Sequence, residues 1–459
     1  MDARISLPPR KINRVVAGCM ILYGCVMCVN MSAPVILPKM LAEIDGLEYY
    51  AFTAVVNSIG IMISAPVAGK IGDAIGRKWL TVTALLVHMA VLLLLSLSHS
   101  VLVFVGLYVV SGFCLGLYIS MPHAILGDIL NLEQRGKYYG LLSASGACGM
   151  LLGPLLSGLV VDTGHPRYAF YVTFLPILLS ILLLRNYPNQ KTAEGPVRPD
   201  FAGLLLLAAM ITCCSAYINF GGSKFLRLSG AGIAILAAGA ISGICFFLHI
   251  RKVPDPIVDL SLFSSRTFSV AWLLRLTFTA YLLCASSFLL LYAQNVLGVS
   301  ATVSSTLTMP QTICMIVLSP FIGRLISKNR RYFRVCYLAM GLCSMAALAI
   351  WSRVTVRSPL FLLYAGMAIG GVAYAVEQTV STPYFQLSIR PEQYGAAQGM
   401  SFFASSAGGT IWGAIYGAIL SAGETASQIG VIFQTGLCIM VAMFLAIVFL
   451  VKPPSAQSA

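Results

Sequence analysis

Two charged side chains stand inside long apolar runs: Arg275 within residues 268–293 and Glu377 within residues 358–384. An ionised group in hydrocarbon is costly, so each must face a partner or a wet cavity. Two chemistries compete for them. A mutual ion pair would hold helices together. Alternatively, Glu377 carries a proton or meets a cation, while Arg275 meets an anion or sets the proton affinity of Glu377. The roles are compatible, because a pair that breaks as the molecule moves couples charge to motion. A further concentration of charge lies in PVAGKIGDAIGRK, residues 66–78, which carries Lys70, Asp73, Arg77 and Lys78. Gly69, Gly72 and Gly76 let the backbone turn tightly there. Asp73 and Arg77 are four apart, a spacing that suits a local ion pair or the capping of two helix ends.

The elements that position these groups follow from composition. The chain is 58% hydrophobic and only 10% charged, with a mean hydropathy of +0.88. Charged cover is too thin for a soluble fold. Long apolar segments without period-2 alternation exclude a β-barrel. The expectation is an all-α polytopic membrane protein with fourteen spans, near 15–37, 47–68, 79–98, 101–124, 138–160, 168–184, 201–221, 229–249, 268–293, 302–322, 334–351, 358–384, 396–420 and 431–450. Residues 66–78 then form a short hinge between the second and third spans. The first segment runs past twenty apolar residues without a small-residue cleavage site, so it reads as retained.

The net charge of +14 sits mainly in alternate loops, which is the orientation rule for membrane proteins and not the footprint of nucleic-acid binding. One side collects 22 of the 29 Lys and Arg residues, the other 6, and Arg275 lies within a span. Both termini are therefore expected in the cytoplasm, with an even number of spans; twelve would require two apolar runs to be re-entrant. The thirteen cysteines are scattered through apolar segments. Cys25 and Cys28 have metal spacing but no His or acid at ligand distance, so they read as core packing. No metal or cofactor is expected. No nucleophile–base set appears, so an enzyme is not expected; without a large soluble domain, neither is a receptor.

The chain echoes itself. PFIGRLISKNRR from Pro320 follows PVAGKIGDAIGR from Pro66 at an offset of 254, pairing Gly69 with Gly323 and Arg77 with Arg331. Asp73 becomes Ser327 and Gly76 becomes Arg330. EQYGAAQG from Glu392 follows EQRGKYYG from Glu133 at an offset of 259, pairing Gly136 with Gly395, Gly140 with Gly399 and Gly149 with Gly408. One ancestral half, duplicated, explains both. The expected domains are an N-terminal six-helix bundle, 1–185, a linker with two extra transmembrane helices, 186–267, and a C-terminal six-helix bundle, 268–459. NYPNQKTAEGPVRPD reads as a polar connection, and DPIVDLSLFSSRTF as an amphipathic interfacial segment.

Gly69, Asp73, Gly76, Arg77 and Lys78 match G-x-x-x-D-x-x-G-R-[RK], and in this the sequence resembles the major facilitator superfamily of secondary transporters. The resemblance makes these residues a gating loop. The fourteen-span layout is similar to the drug/proton antiporter branch. Gly140, Gly149, Gly153, Pro154 and Gly158 look like that branch's antiporter motif, with Ser157 where glycine is usual. Physically, small residues let helices approach and proline bends the span; by resemblance the motif seals the two halves against leakage. The chain departs from the branch at Val29, where an acid is usual, at Pro34, where asparagine is usual, and at Tyr108, where arginine is usual. Coupling then falls to Glu377.

By resemblance, spans one, four, nine and twelve line one cavity. That gives weight to Asn30, Tyr118, Tyr374 and Gln378, beside Gln311 and the less favoured Tyr23, Asn57, Tyr384, His88 and His123. Asp128 reads as a latch between loops. Aromatic and Met side chains suit a large amphipathic substrate. The expected function is proton-coupled export of an amphipathic or aromatic small molecule by a monomer in the cell (inner) membrane, alternating access between its two sides. The alternative is an organic anion or metabolite transporter that uses Arg275 in symport or exchange.

Overall fold

A computed structural model describes residues 8–46, 49–189, 200–220, 229–253, 260–299, 301–355, 358–390, 393–420 and 425–451. Its helices are α1 (Pro9–Glu43), α2 (Tyr50–Ile75), α3 (Arg77–Leu97), α4 (Val101–Ile119), α5 (Met121–Ile129), α6 (Leu132–Asp162), α7 (Phe174–Leu184), α8 (Phe201–Phe220), α9 (Gly230–Lys252), α10 (Arg266–Leu283), α11 (Leu289–Asn295), α12 (Ala301–Thr306), α13 (Met309–Lys328), α14 (Tyr332–Trp351), α15 (Phe361–Gln386), α16 (Tyr394–Leu420) and α17 (Thr425–Leu450). A 3₁₀ stretch at Pro166–Thr173 leads into α7, and a π-helical turn at Cys284–Phe288 joins α10 to α11. No strand occurs among the described residues.

Eleven helical stretches among the described residues are long and apolar enough to cross a membrane. Their outer faces remain apolar: Leu102, Leu175, Phe361 and Phe449 are all more than 70% exposed. Such a surface is untenable in water and ordinary against lipid. Helices satisfy their backbone internally, which is why the sequence crosses hydrocarbon in this form. The polar connection at 190–199 and the start of the amphipathic segment, 254–259, lie outside the described residues, as do the side chains of Lys70 and Glu133 and the loop cations Arg4, Lys191, Arg198, Lys224, Arg227, Arg357 and Lys452.

Small residues set the helix packing, because without a Cβ two backbones can approach closely. In the first part of the chain, Gly149 and Gly153 of α6 lie against the α1 backbone at Gly24 and Cys28, and Gly112 of α4 lies against Asn57 of α2. In the second part, Gly408 of α16 lies against Leu276 of α10, and Gly371 of α15 against Gln311 of α13. The helix pairs correspond between the two parts, and Gly149 to Gly408, Gly112 to Gly371 and Asn57 to Gln311 are related by the offsets of the sequence echoes.

Contacts between the two parts exchange in the same way. A Cβ on Gly69 would overlap the Ala396 amide, and one on Gly136 would overlap Ser327 and Gly323. One on Gly140 would strike the Ser319 carbonyl, and one on Gly399 the Ala65 carbonyl. Two seams result, α2 against α16 and α6 against α13. Between them Arg135 and Tyr394, equivalent positions of the second echo, meet each other: the guanidinium sits 4.8 Å above the ring and donates to the hydroxyl at 2.8 Å. α8 and α9 pack on one another, with α8 resting on α2 and α16.

The expected hinge at 66–78 is shorter in fact. α2 continues through Ile75 and α3 begins at Arg77, so Gly76 alone makes the turn, with φ +96° and ψ 133°. Only glycine adopts that conformation without strain. The apolar count placed the helix ends too early because Lys70 and Asp73 are polar yet lie on the last two turns of α2.

Candidate functional site

Arg275 projects from α10 and Glu377 from α15. The Arg275 Nε lies 3.6 Å from Glu377 Oε1, and both side chains are buried. That distance allows strong attraction in a dry site but exceeds a hydrogen bond. Arg275 Nη1 donates to Ser401 Oγ of α16 at 3.2 Å, and its guanidinium lies 4.9 Å from the Phe402 ring centre. Ser381, one turn along α15, donates to Glu377 Oε1 at 3.4 Å, and Tyr337 of α14 donates to Ser381 at 3.4 Å. Among the described residues Arg275 Nε has no hydrogen-bond partner. The pair is therefore held by charge and aromatic contact, without the two-pronged bonding that makes such pairs rigid. Such an arrangement can separate when a proton or a ligand neutralises one member.

Other expected residues fall around this pair or away from it. Tyr374 and Gln378 share its helix: Gln378 Nε2 donates to the Tyr374 hydroxyl at 3.1 Å, and that hydroxyl points to Met150 Sδ at 3.8 Å across the gap between α15 and α6. His123 stacks on Tyr139 and meets Tyr23 and Phe402 edge-on. Tyr384 is buried and packs in the aromatic cluster with Phe333 and Tyr337. Gln311 is buried on α13, where Gly371 packs on its backbone. Tyr118 does not face this gap. It is fully buried, and its hydroxyl lies 2.6 Å from His88 Nδ1, while His88 Nε2 meets Ser111 Oγ at 2.9 Å. That closed network ties α3 to α4. Asn30 lines a separate small cavity of about 40 Å³ with Asn57, Tyr108, Ser111 and Phe170. There Asn57 Nδ2 donates to the Tyr108 carbonyl at 2.9 Å and Asn30 Nδ2 to the Val26 carbonyl at 3.2 Å.

The charged turn is a compact network. Arg77 is 1% exposed and bridges two acids, Asp73 at 3.0 Å and Asp128 at 2.7 Å. Asp128 also accepts from the Tyr187 hydroxyl at 2.6 Å, so the acid read as a latch joins α2, α3, α5 and the end of α7. Lys78 donates to the Arg185 carbonyl at 2.8 Å, capping α7. Asn189 braces Gly76 itself: its Nδ2 donates to the Ile75 carbonyl at 3.0 Å and its Oδ1 accepts from the Trp79 amide at 3.3 Å. Pro154 and Gly158 lie in the same α6 as the seam glycines, and a Cβ on Gly158 would meet nothing within 4 Å.

Sequence reasoning missed Asn189, Tyr187, Ser401 and Phe402. Asn189 and Tyr187 lie in a polar stretch that reads as linker. Ser401 and Phe402 follow the second echo, in GAAQGMSFF, which was the available signal.

A profile of the Major Facilitator Superfamily matches residues 19–309 and 267–459. Among curated proteins, the multidrug transporter protein MdtP of Bacillus subtilis (strain 168) is 24% identical over 84% of this chain and 71% of its own length. Multidrug resistance protein 3 of the same organism is 22% identical over 85% of this chain and 76% of its own length. Among solved structures, the human organic anion transporter MFSD10 (TETRAN) aligns with a TM-score of 0.69 at 14% identity, covering 96% of this chain and 100% of that one. The proton:xylose symporter XylE aligns with a TM-score of 0.64 at 14% identity, covering 95% of each.

Proposed function

The chain belongs to the Major Facilitator Superfamily and is a transporter, not an enzyme, and from that premise we propose that it exports an amphipathic or aromatic small molecule in exchange for protons. The observation that carries the proposal is the buried Arg275–Glu377 pair, 3.6 Å apart, beyond the seams that close the end of the molecule near Gly76. A proton arriving at Glu377 cancels its charge and releases Arg275. Loss of that attraction favours the other arrangement of the helices, and release of the proton to the cytoplasm, the side opposite to its entry, resets the pair. The aromatic surroundings, Tyr23, Tyr374 and Phe402, suit a flat or amphipathic substrate. The names of the two Bacillus relatives support the same substrate class.

In this reading residues 1–185 and 268–459 are six-helix bodies, 186–267 carries two inserted helices, and the fourteen spans leave both termini in the cytoplasm of a cell-membrane protein. The residues around Gly76 and the seam glycines Gly69, Gly136, Gly140, Gly323, Gly395 and Gly399 form its cytoplasmic gate. The test is transport in proteoliposomes. Glu377→Gln should lower pH-driven uptake at least tenfold while leaving part of substrate binding, and an unchanged pH dependence would remove Glu377 as the carrier. Arg275→Ala should impair transport; recovery in Arg275→Lys would instead favour a simple anion contact, since lysine cannot reproduce the guanidinium's shape.

A further inference from the structure

The equivalent of the charged turn in the second part of the chain has lost its acids and gained a cavity. Ser327 stands where Asp73 does, 254 positions on, and Leu387 stands where Asp128 does, 259 positions on. Arg330 replaces Gly76, and Lys328 precedes it. Where the first network is filled by Arg77 and its two carboxylates, the second position is a partly open cleft of about 220 Å³. Its lining combines two cations, Lys328 and Arg330, with apolar Phe333 and Leu387 and with Ser327 and Gly136. Phe333 is 4% exposed. Among the described residues, neither Lys328 nor Arg330 pairs with a carboxylate.

Two cations that have no carboxylate partner among the described residues, beside apolar side chains at the end of transmembrane helices, select one kind of ligand. We propose that this cleft binds a phosphate-bearing anion, supplied as the headgroup of an anionic phospholipid, and that its occupancy favours the closed seam between α6 and α13. Phosphate satisfies the cations. The apolar lining accepts the adjoining glycerol and first methylenes, which free phosphate lacks. The link to the closed seam is structural. Gly136 belongs to α6 and the other walls to α13, α14 and α15, and Ser327 Oγ accepts from the Lys137 amide across the seam at 3.1 Å. Separation of α6 from α13 removes one wall, so a ligand that needs all of them binds the closed arrangement better and shifts the population toward it.

The experiment uses the purified full-length protein in nanodiscs of phosphatidylcholine. Phosphatidylglycerol is titrated in, and, separately, inorganic phosphate is added to the buffer. The readouts are lipid retention by native mass spectrometry and the distance between spin labels on α6 and α13. Phosphatidylglycerol should be retained and should raise the closed population. In Lys328→Gln/Arg330→Gln its affinity should fall about tenfold or more, since each of the two cations near the surface contributes about fivefold. Leu387→Asp, which restores an acid beside the cations, should give a similar loss and needs no cation removed. In phosphatidylcholine alone Lys328→Gln/Arg330→Gln should unfold at the wild-type temperature and Leu387→Asp, which changes a partly buried side chain, only slightly below it. Equal effects of inorganic phosphate would keep the site and change the source of its occupant. Retention that is unchanged in both variants, or equal for phosphatidylcholine, would overturn the proposal.

Discussion

The turn at Gly76 and its counterpart near Arg330 began from similar sequence and now do different work. The first buries a cation between two acids and closes on a single glycine. The second keeps the glycine that packs the seam, Gly323, but has neither acid and ends α13 on Lys328, with Asn329 Oδ1 accepting from the Arg331 amide at 2.9 Å. What persists in both is close helix approach; what differs is the charge that braces it. Backbone contact at a seam requires small residues on both sides, so it resists change. A buried ion network requires every member, so loss of one acid removes the advantage of the others.

The contrast is easiest to break at Asp128. Asp128→Asn leaves Arg77 buried with half its compensation, and disrupting such a pair costs about 3–5 kcal/mol. Thermal unfolding in detergent should drop by several degrees, whereas Leu387→Asn at the equivalent position should lower it much less; equal losses would erase the distinction. The seams should instead behave alike. Gly140→Leu and Gly399→Leu each drive a side chain into a facing carbonyl, so each should reduce the closed population about tenfold, or about 1.4 kcal/mol, as read by spin-label distances. An effect at one seam only would mean that the echo does not describe how the halves meet. Asn189→Ala should cost about 1 kcal/mol, the usual loss for a capping side chain, and should do so without altering transport selectivity. The smallest change is expected for Arg331→Ala, within about 0.5 kcal/mol as for other exposed sites, against a severe loss for Arg77→Ala.

The helical membrane class and the family were legible because both depend on features that survive in one dimension: long apolar runs, and a glycine–acid–arginine spacing. The repeat was legible for the same reason. Which glycine touches which was not, since Gly69 and Gly395 come together only through the exchange of α2 and α16 between parts. Helix ends at the charged turn were misplaced because polarity around the α2–α3 junction reads as loop until Asp128 supplies Arg77, at the start of α3, with a buried partner 51 positions away. Tyr118 was assigned to a cavity from its span, yet the side chain's direction depends on His88 of another helix. Arg275 and Glu377 were identified as intramembrane charges by cost alone, but their separation of 3.6 Å depends on α10 and α15 packing side by side.

The one-residue elbow at Gly76 has a mechanical consequence. With Asn189 clamped to both neighbouring strokes of chain, there is no slack between α2 and α3, so a tilt of one is delivered to the other as rotation. At its far end α3 is tethered as well: Arg167 donates to the carbonyls of Ser96 and Ser98 at 3.0 and 3.1 Å and pairs with Glu43 at 2.8 Å. Displacement at the α2–α16 seam is thereby carried like motion through a crank to the opposite rim, where the Arg167 tether must either travel with it or let go.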